Sequence, residues 1–173
     1  MEDERPVQVL FSIGTAEIDK CENLFVDEIG EAGELRLSVK IVEARVQSRP
    51  IEVNAHDPLH ALMLGARPIE PDDTSMRFEL IFDSRHMVSY LVLNELYGTY
   101  PAPPEEFTGR LFRTFTKSHL LDFTRRTTNA SDAWPGKLLH YQIACLNHVV
   151  DVVVTAPPTI YVQLPKNSPP GRC

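Results

Sequence analysis

The sequence predicts an α+β domain, mostly antiparallel β-sheet with two or three short helices packed on one face or end. Three observations predict it. Apolar residues recur with a period of two along most of the chain, the mark of strands that are wet on one side. Two segments change to helical spacing behind good N-cap residues. The length of 173 residues, 43% of them hydrophobic, suits one core. The expected unit is a single domain over 1–173 whose ends, 1–5 and 165–173, fray because they are charged or rich in proline.

Each element follows from its own pattern. Val7, Val9, Phe11 and Ile13 alternate with Gln8, Leu10 and Ser12, which reads as a strand from Val7 to Ile13. Leu35, Leu37, Val39 and Ile41 alternate next, and the apolar set then moves to Ala44 and Val46. That change of parity predicts a bulge near Val42–Glu43. Met76, Phe78, Leu80 and Phe82 form a third alternating run, and Val88–Leu93 and Leu111–Phe115 read as further strands. Tyr141–Thr155 is long and apolar, with Asn147-His148 marking a turn or bulge inside it. Pro157-Pro158 break the chain before a last strand over Thr159–Leu164.

Helices are expected in two places and a third short one around Asn23–Ile29. Asp57-Pro58 opens the first, with Pro at the first helical position, Leu59, Leu62 and Met63 on one face, and Gly65 as the stop. Ser118 caps the second, which runs to Thr128 with Leu120 and Phe123 pointing one way and Asn129 ending it in a left-handed turn. Trp134-Pro135-Gly136 is a turn, with the indole either plugging the edge of the core or serving as an interface anchor. The core itself is assigned to Leu37, Val39, Ile41, Phe78, Leu80, Phe82, Ile143, Val152 and Val154.

Charge narrows the function. Lys plus Arg is 17 and Asp plus Glu is 24, a net charge of −7, which opposes binding to nucleic acid or to an anionic membrane surface. No run approaches the ~20 apolar residues of a membrane span. The Met-Glu-Asp-Glu-Arg start has no apolar run behind it, so a cytoplasmic protein is expected. Cys21, Cys145 and Cys173 show no CxxC spacing, and Cys145 reads as a core residue.

The charge is also uneven. Glu17, Asp19, Glu22, Asp27, Glu28, Glu31 and Glu34 face Lys20 alone, which suggests an acidic face for a basic protein partner. Arg110, Arg113, Lys117, Arg125 and Arg126 face Asp122 alone. Arg113 and Lys117 share a strand parity with Phe115, and the free N–H groups behind Ser118 follow. Arg110, Arg113, Lys117, Ser118 and Arg125 are therefore the candidate anion-binding set.

Chemistry has less support. No GxGxxG, GxxxxGK[ST] or GxSxG motif occurs. Ser118, His119 and Asp122 are too close in sequence for a relay, and Ser118 is better spent as a cap. His56 precedes the cap of its helix and does not converge with His60, while His140 and His148 share a face only on an unbroken strand. No metal or cofactor is predicted.

Asp57-Pro58-Leu59-His60-Ala61-Leu62 resembles a segment of small bacterial proteins, in which a hairpin runs into a helix of the form Asp-Pro-Leu-Gln-Ala-Leu, with His60 here in place of Gln. The run from Leu139-His140-Tyr141 to Val150-Asp151-Val152 resembles them more loosely. Some such proteins look like immunity factors, and the resemblance implies a bacterial, cytoplasmic, non-enzymatic protein. The leading reading is thus a non-catalytic interaction protein that neutralises a basic partner such as a toxin. The alternative is an anion-binding protein or enzyme using the Arg110–Arg126 region. A third reading is a homo-oligomer joined at the strand edges Val152–Thr155 and Thr159–Leu164.

Overall fold

The computed structural model describes residues 6–33, 35–51, 63 and 65–164. Eleven strands form two antiparallel sheets: β1 (Val7–Val9), β2 (Asn23–Glu31), β3 (Arg36–Val46), β4 (Ile69–Glu70), β5 (Arg77–Asp83), β6 (Met87–Asn94), β7 (Glu106–Thr108), β8 (Phe112–Lys117), β9 (Leu139–Ala144), β10 (His148–Val154) and β11 (Thr159–Gln163). The first sheet has the order β1-β11-β5-β3-β2, with β4 added to β3, and the second has the order β6-β10-β9-β8-β7. Two α-helices stand among the described residues, α1 (Phe11–Lys20) and α2 (His119–Thr127). The result is mostly antiparallel sheet with helices, broadly the α+β class. No helix of the described residues is long and apolar enough to cross a membrane.

The sheets pack face to face. One buried cluster joins Leu37, Val39 and Ile41 of β3, Phe78, Leu80 and Phe82 of β5 and Ile160 of β11 with Ile143 of β9 and Val150, Val152 and Val154 of β10. All nine residues assigned to the core from alternation belong to it. Strand pleating is the cause, since every second residue meets the opposite sheet. A smaller cluster of Leu121, Ala130, Leu138 and Val153 seats α2 on the far face of the second sheet. Cys145 is buried as expected, and burial pushes its thiol up to about 12.

Several expectations need correction. The first strand stops at Val9 and the chain turns into α1, where Gly14 and Ile18 are buried. Phe11 and Ile13 fit a strand's alternation, but the buried helical face runs through Phe11, Gly14 and Ile18 and leaves Ile13 49% exposed. Asn23–Ile29 is not a helix but the body of β2, paired residue by residue with β3. The bulge lies on β2, where the register shifts between Val26 and Glu28, while β3 stays in register with β5 from Arg36 to Val42. The turn expected at Asn147-His148 does occur, with Asn147 between β9 and β10 and His148 opening β10.

α2 has the expected cap but a rotated face. Leu121 and Thr124 are buried, and Phe123 is 55% exposed. Its end is an extended Thr128 rather than a left-handed Asn129. Trp134 is 67% exposed and does not plug the core. Val152–Thr155 and Thr159–Leu164 supply no free edge, because β10 lies between β6 and β9 and β11 lies between β1 and β5. The helix expected from Asp57, with His56 and His60, falls largely outside the described residues, as do Glu34, Cys173 and both chain ends.

Candidate functional site

The second sheet carries a buried polar chain on its outer face, under α2. Ser118, His140, Gln142 and Asp151 are each at most 9% exposed. His140 Nδ1 lies 2.9 Å from Ser118 Oγ, and His140 Nε2 lies 2.9 Å from Asp151 Oδ1. The Gln142 amide donates to the same Asp151 oxygen at 2.9 Å, and Arg113 donates to Gln142 Oε1 at 2.7 Å. The ladders explain the convergence, because Gln142 is paired with Asp151 on one side and with Arg113 on the other. Phe115 stacks on His140 with ring centroids 4.4 Å apart.

Serine, histidine and aspartate in hydrogen-bonded series invite a hydrolytic reading, with partners other than His119 and Asp122. The geometry refuses it. Ser118 is 2% exposed, so its hydroxyl meets no substrate. Its oxygen accepts the Leu121 N–H at 3.1 Å as the cap of α2. One arrangement satisfies every group: Nε2–H donates to the carboxylate and the serine O–H donates to Nδ1. The chain is a bolt that fixes α2 to the sheet.

The expected anion set is largely consumed within the fold. Arg110 donates through its guanidinium to the carbonyls of Asp19, Cys21 and Glu22, closing the C-terminus of α1. Asp19 in return accepts three backbone N–H groups, from Arg110 at 3.0 Å, Leu111 at 2.7 Å and Phe112 at 2.8 Å. Gly109 makes this loop possible: its φ is +89°, and a Cβ there would meet Phe112 O at 2.0 Å. Arg113 sits over the Tyr100 ring at 4.7 Å and near the Phe107 ring at 5.5 Å. Phe115 faces His140 instead of the cations. Arg125 reaches Asp122 at 3.6 Å and Asp132 at 3.7 Å. The N-terminus of α2 already holds an anion of its own chain, since Glu105 accepts the His119 N–H at 2.9 Å. Lys117 is exposed at the end of β8.

The acidic stretch is dispersed in the same way. Glu17 pairs with Lys20 at 2.6 Å, Asp27 with Arg77 at 3.7 Å and Glu28 with Lys40 at 2.6 Å. Glu22 flanks the Arg110 contact, and Glu31 is exposed at the end of β2. An open groove of about 400 Å³ on the outer face of the first sheet is lined by Asp27, Lys40, Arg77, Glu79 and Tyr161, mixed in charge. His140 and His148 lie on opposite faces of their hairpin. Among the described residues no group of three or more His, Cys, Asp or Glu is placed to hold a metal ion.

What remains is at the sheet edges, and they differ sharply. On β2 the bulge at Asp27 and the carboxylates of Glu28 and Glu31 interrupt pairing. The Val26 N–H and C=O are filled by the Asn147 side chain, and Leu146 N–H fills Leu24 O. β1 and β7 are three residues each, and β4 is two. These are the usual defences of an edge. β6 has only a bulge at Val88 near its N-terminal end, and from Ser89 to Asn94 its pairing with β10 is regular. It runs for eight residues, MVSYLVLN, without a charge or a proline. Tyr90 is 51% exposed, Leu91 43% and Leu93 40%, with Leu96 and Tyr97 exposed just beyond.

The direction of its backbone groups is fixed. Glu95 N–H reaches Asn147 O, one step past the His148–Asn94 pair. Cys145 N–H reaches His148 O, one step inside the Val149–Ala144 pair. Alternation along an antiparallel ladder then turns Leu91 and Leu93 toward β10. Tyr90 and Val92 direct N–H and C=O outward, as does the Asn94 N–H, with no partner among the described residues. Sequence reading passed over this edge. An uncharged run does not mark it, because longer ones occur at 138–150 and 152–165 in the interior strands.

No family model, no curated protein and no solved structure matches the chain.

Proposed function

We propose that the chain is a non-catalytic protein-interaction domain of the cytoplasm that takes a strand of another polypeptide onto the free edge of β6. The observation that carries this is the contrast between edges: β1, β2, β4 and β7 are short or blocked, while β6 is long, uncharged and exposed. An unguarded edge of that kind is a template for strand addition, in which backbone bonds give affinity and alternate side chains give selectivity. The burial of Ser118 and the internal use of Arg110 and Arg113 support binding over catalysis. The resemblance of Asp57–Leu62 to immunity-like bacterial proteins points to the same kind of partner, a polypeptide such as a toxin.

Peptides displayed as a random library and selected on the immobilised protein test the reading. Selected peptides should alternate apolar residues and slow amide exchange at Tyr90, Val92 and Asn94. Leu91→Lys with Leu93→Lys should abolish their binding, because charge on an edge blocks pairing. Peptides that protect the outer face of the first sheet, around Lys40 and Glu79, and leave β6 exchanging freely would refute it.

A further inference from the structure

We infer that the occupant of the β6 edge is a second copy of this chain, joined antiparallel about a two-fold axis at Val92. This rests on β6 being a pairing edge and names what pairs with it. The register follows from where the edge is regular. The β6–β10 ladder shifts between Val153 and Val154, opposite Val88, and ends where a short 3-10 turn, Glu95–Tyr97, begins. Between these breaks the outward-facing positions are Tyr90, Val92 and Asn94, and Val92 is their midpoint.

A two-fold axis there makes the edge complementary to itself. The two Val92 residues exchange both backbone bonds, and each Asn94 N–H meets the Tyr90 carbonyl of the other copy. Leu91 of one copy lies opposite Leu93 of the other, twice, so four leucines close into one patch on the outer face. No charge lies between Met87 and Asn94, so the pairing sets no like charges opposite each other. Strand pairing alone buries less than the ~1,200 Å² of a stable interface. Leu96 and Tyr97, 76% and 80% exposed, follow β6 directly at its C-terminal end and add to the contact, whereas Tyr100 packs on Phe107 and Arg113 at the far edge of the sheet. The second sheets of the two copies then run on as one sheet, which is the isologous closure that symmetric dimers favour.

Charge gives the association a signature. Each chain carries −7, so two copies repel at long range while their contact is apolar. Added salt screens that repulsion and tightens the dimer, whereas it would weaken binding to a basic partner.

Sedimentation equilibrium of the full chain over a range of concentration and salt reads this directly. The expected species is twice the 19.6 kDa chain mass, with an apparent dissociation constant that falls as salt rises. Leu91→Lys with Leu93→Lys opposes the introduced ammonium groups across the axis and should weaken the dimer about tenfold or more. Leu91→Glu with Leu93→Glu should do the same. Mixed in equal amounts, the two variants should form a heterodimer, which a folding defect would not produce. In a Cys173→Ser background, Val92→Cys should oxidise to a covalent dimer, since an H-bonded antiparallel pair sets Cα atoms about 5.5 Å apart, within disulfide reach. A chain that stays monomeric at high salt overturns the second copy. Strand addition survives that result if selected peptides still protect Tyr90, Val92 and Asn94, and falls with it if they do not. A dimer indifferent to the lysine pair, or a charge-swapped mixture that fails to associate, overturns the interface.

Discussion

Gly14→Ala sets two effects against each other, and the structure decides the sign. In an open helix interior, alanine is better than glycine by about 1 kcal/mol, because glycine loses more backbone entropy on folding. Gly14 is not in the open. A Cβ at this position would lie 2.8 Å from Ile160 Cγ2, 2.9 Å from Cδ1 and 3.0 Å from Cβ. Ile160 is 0% exposed in the middle of the first sheet and cannot swing away. Forcing an extra carbon into a packed core costs about 1–3 kcal/mol, so the clash wins and the variant should lose about 1 kcal/mol net. Ile160→Ala removes two of the three offending atoms at its own cost of about 2–5 kcal/mol. Within that background Gly14→Ala should become neutral or stabilising, as the helix preference acts unopposed. Urea denaturation of the four proteins, compared at constant m, measures the coupling as a double-mutant cycle. If Gly14→Ala stabilises the otherwise unaltered chain by about 1 kcal/mol, α1 is not seated on β11 and the packing described here is wrong.

Other substitutions probe the remaining joints. Asp19→Ala strands three backbone N–H groups, two of them against the core, and should cost about 3 kcal/mol or more in denaturant; Asp19→Asn keeps one acceptor and should cost less. Ser118→Ala removes a cap and the partner of a buried imidazole together, for a loss of about 2–3 kcal/mol by thermal melt. It should leave any trace of ester hydrolysis unchanged, and a drop in such turnover would expose a catalytic role. Burial pushes both the Cys21 and Cys145 thiols up to about 12, with Glu43 adding to the effect at Cys21. The unfolded chain ionises these thiols near 9 while the folded chain holds their protons, so stability is full below pH 9 and declines from there toward pH 12. A thiol reagent at pH 8 should label neither residue until the protein unfolds.

The sandwich core was legible because alternation reports which face meets the other sheet, and Leu37, Val39 and Ile41, like Phe78, Leu80 and Phe82, alternate without conflict. The Val7–Ile13 segment was not, since strand alternation continues through Phe11 and Ile13, and the seat of Gly14 against Ile160 that marks the helix is a tertiary contact. β2 was misread because Asp27, Glu28 and Glu31 look like a solvated helix face, when they are the guards of a sheet edge. The contacts of Ser118 and Arg113 lay beyond sequence reading altogether. They depend on the registers of β9 against β10 and β8, which bring together residues 22, 33 and 29 positions apart. The exposed edge is likewise a property of strand order. Nothing local to Met87–Asn94 says that only one of its sides is covered.

The strand order also governs how the fold is assembled during synthesis. Among the described strands β11 leaves the ribosome last, yet it occupies the interior of the first sheet, between β1 and β5. Until it emerges, β5 has an open side, and β1, made first, has no strand to bind. The nascent chain can close the β2–β3 and β9–β10 hairpins early, because their contacts are local, but the first sheet waits for a pairing of Val7 with Val162 that spans almost the entire chain. A growing polypeptide in that condition shows its apolar interior to whatever is nearby. Chaperone demand should therefore peak just before β11 is released and collapse within moments of its insertion. Joining the two ends of the finished sheet and opening the chain elsewhere would move β1 and β11 into one hairpin and remove that interval.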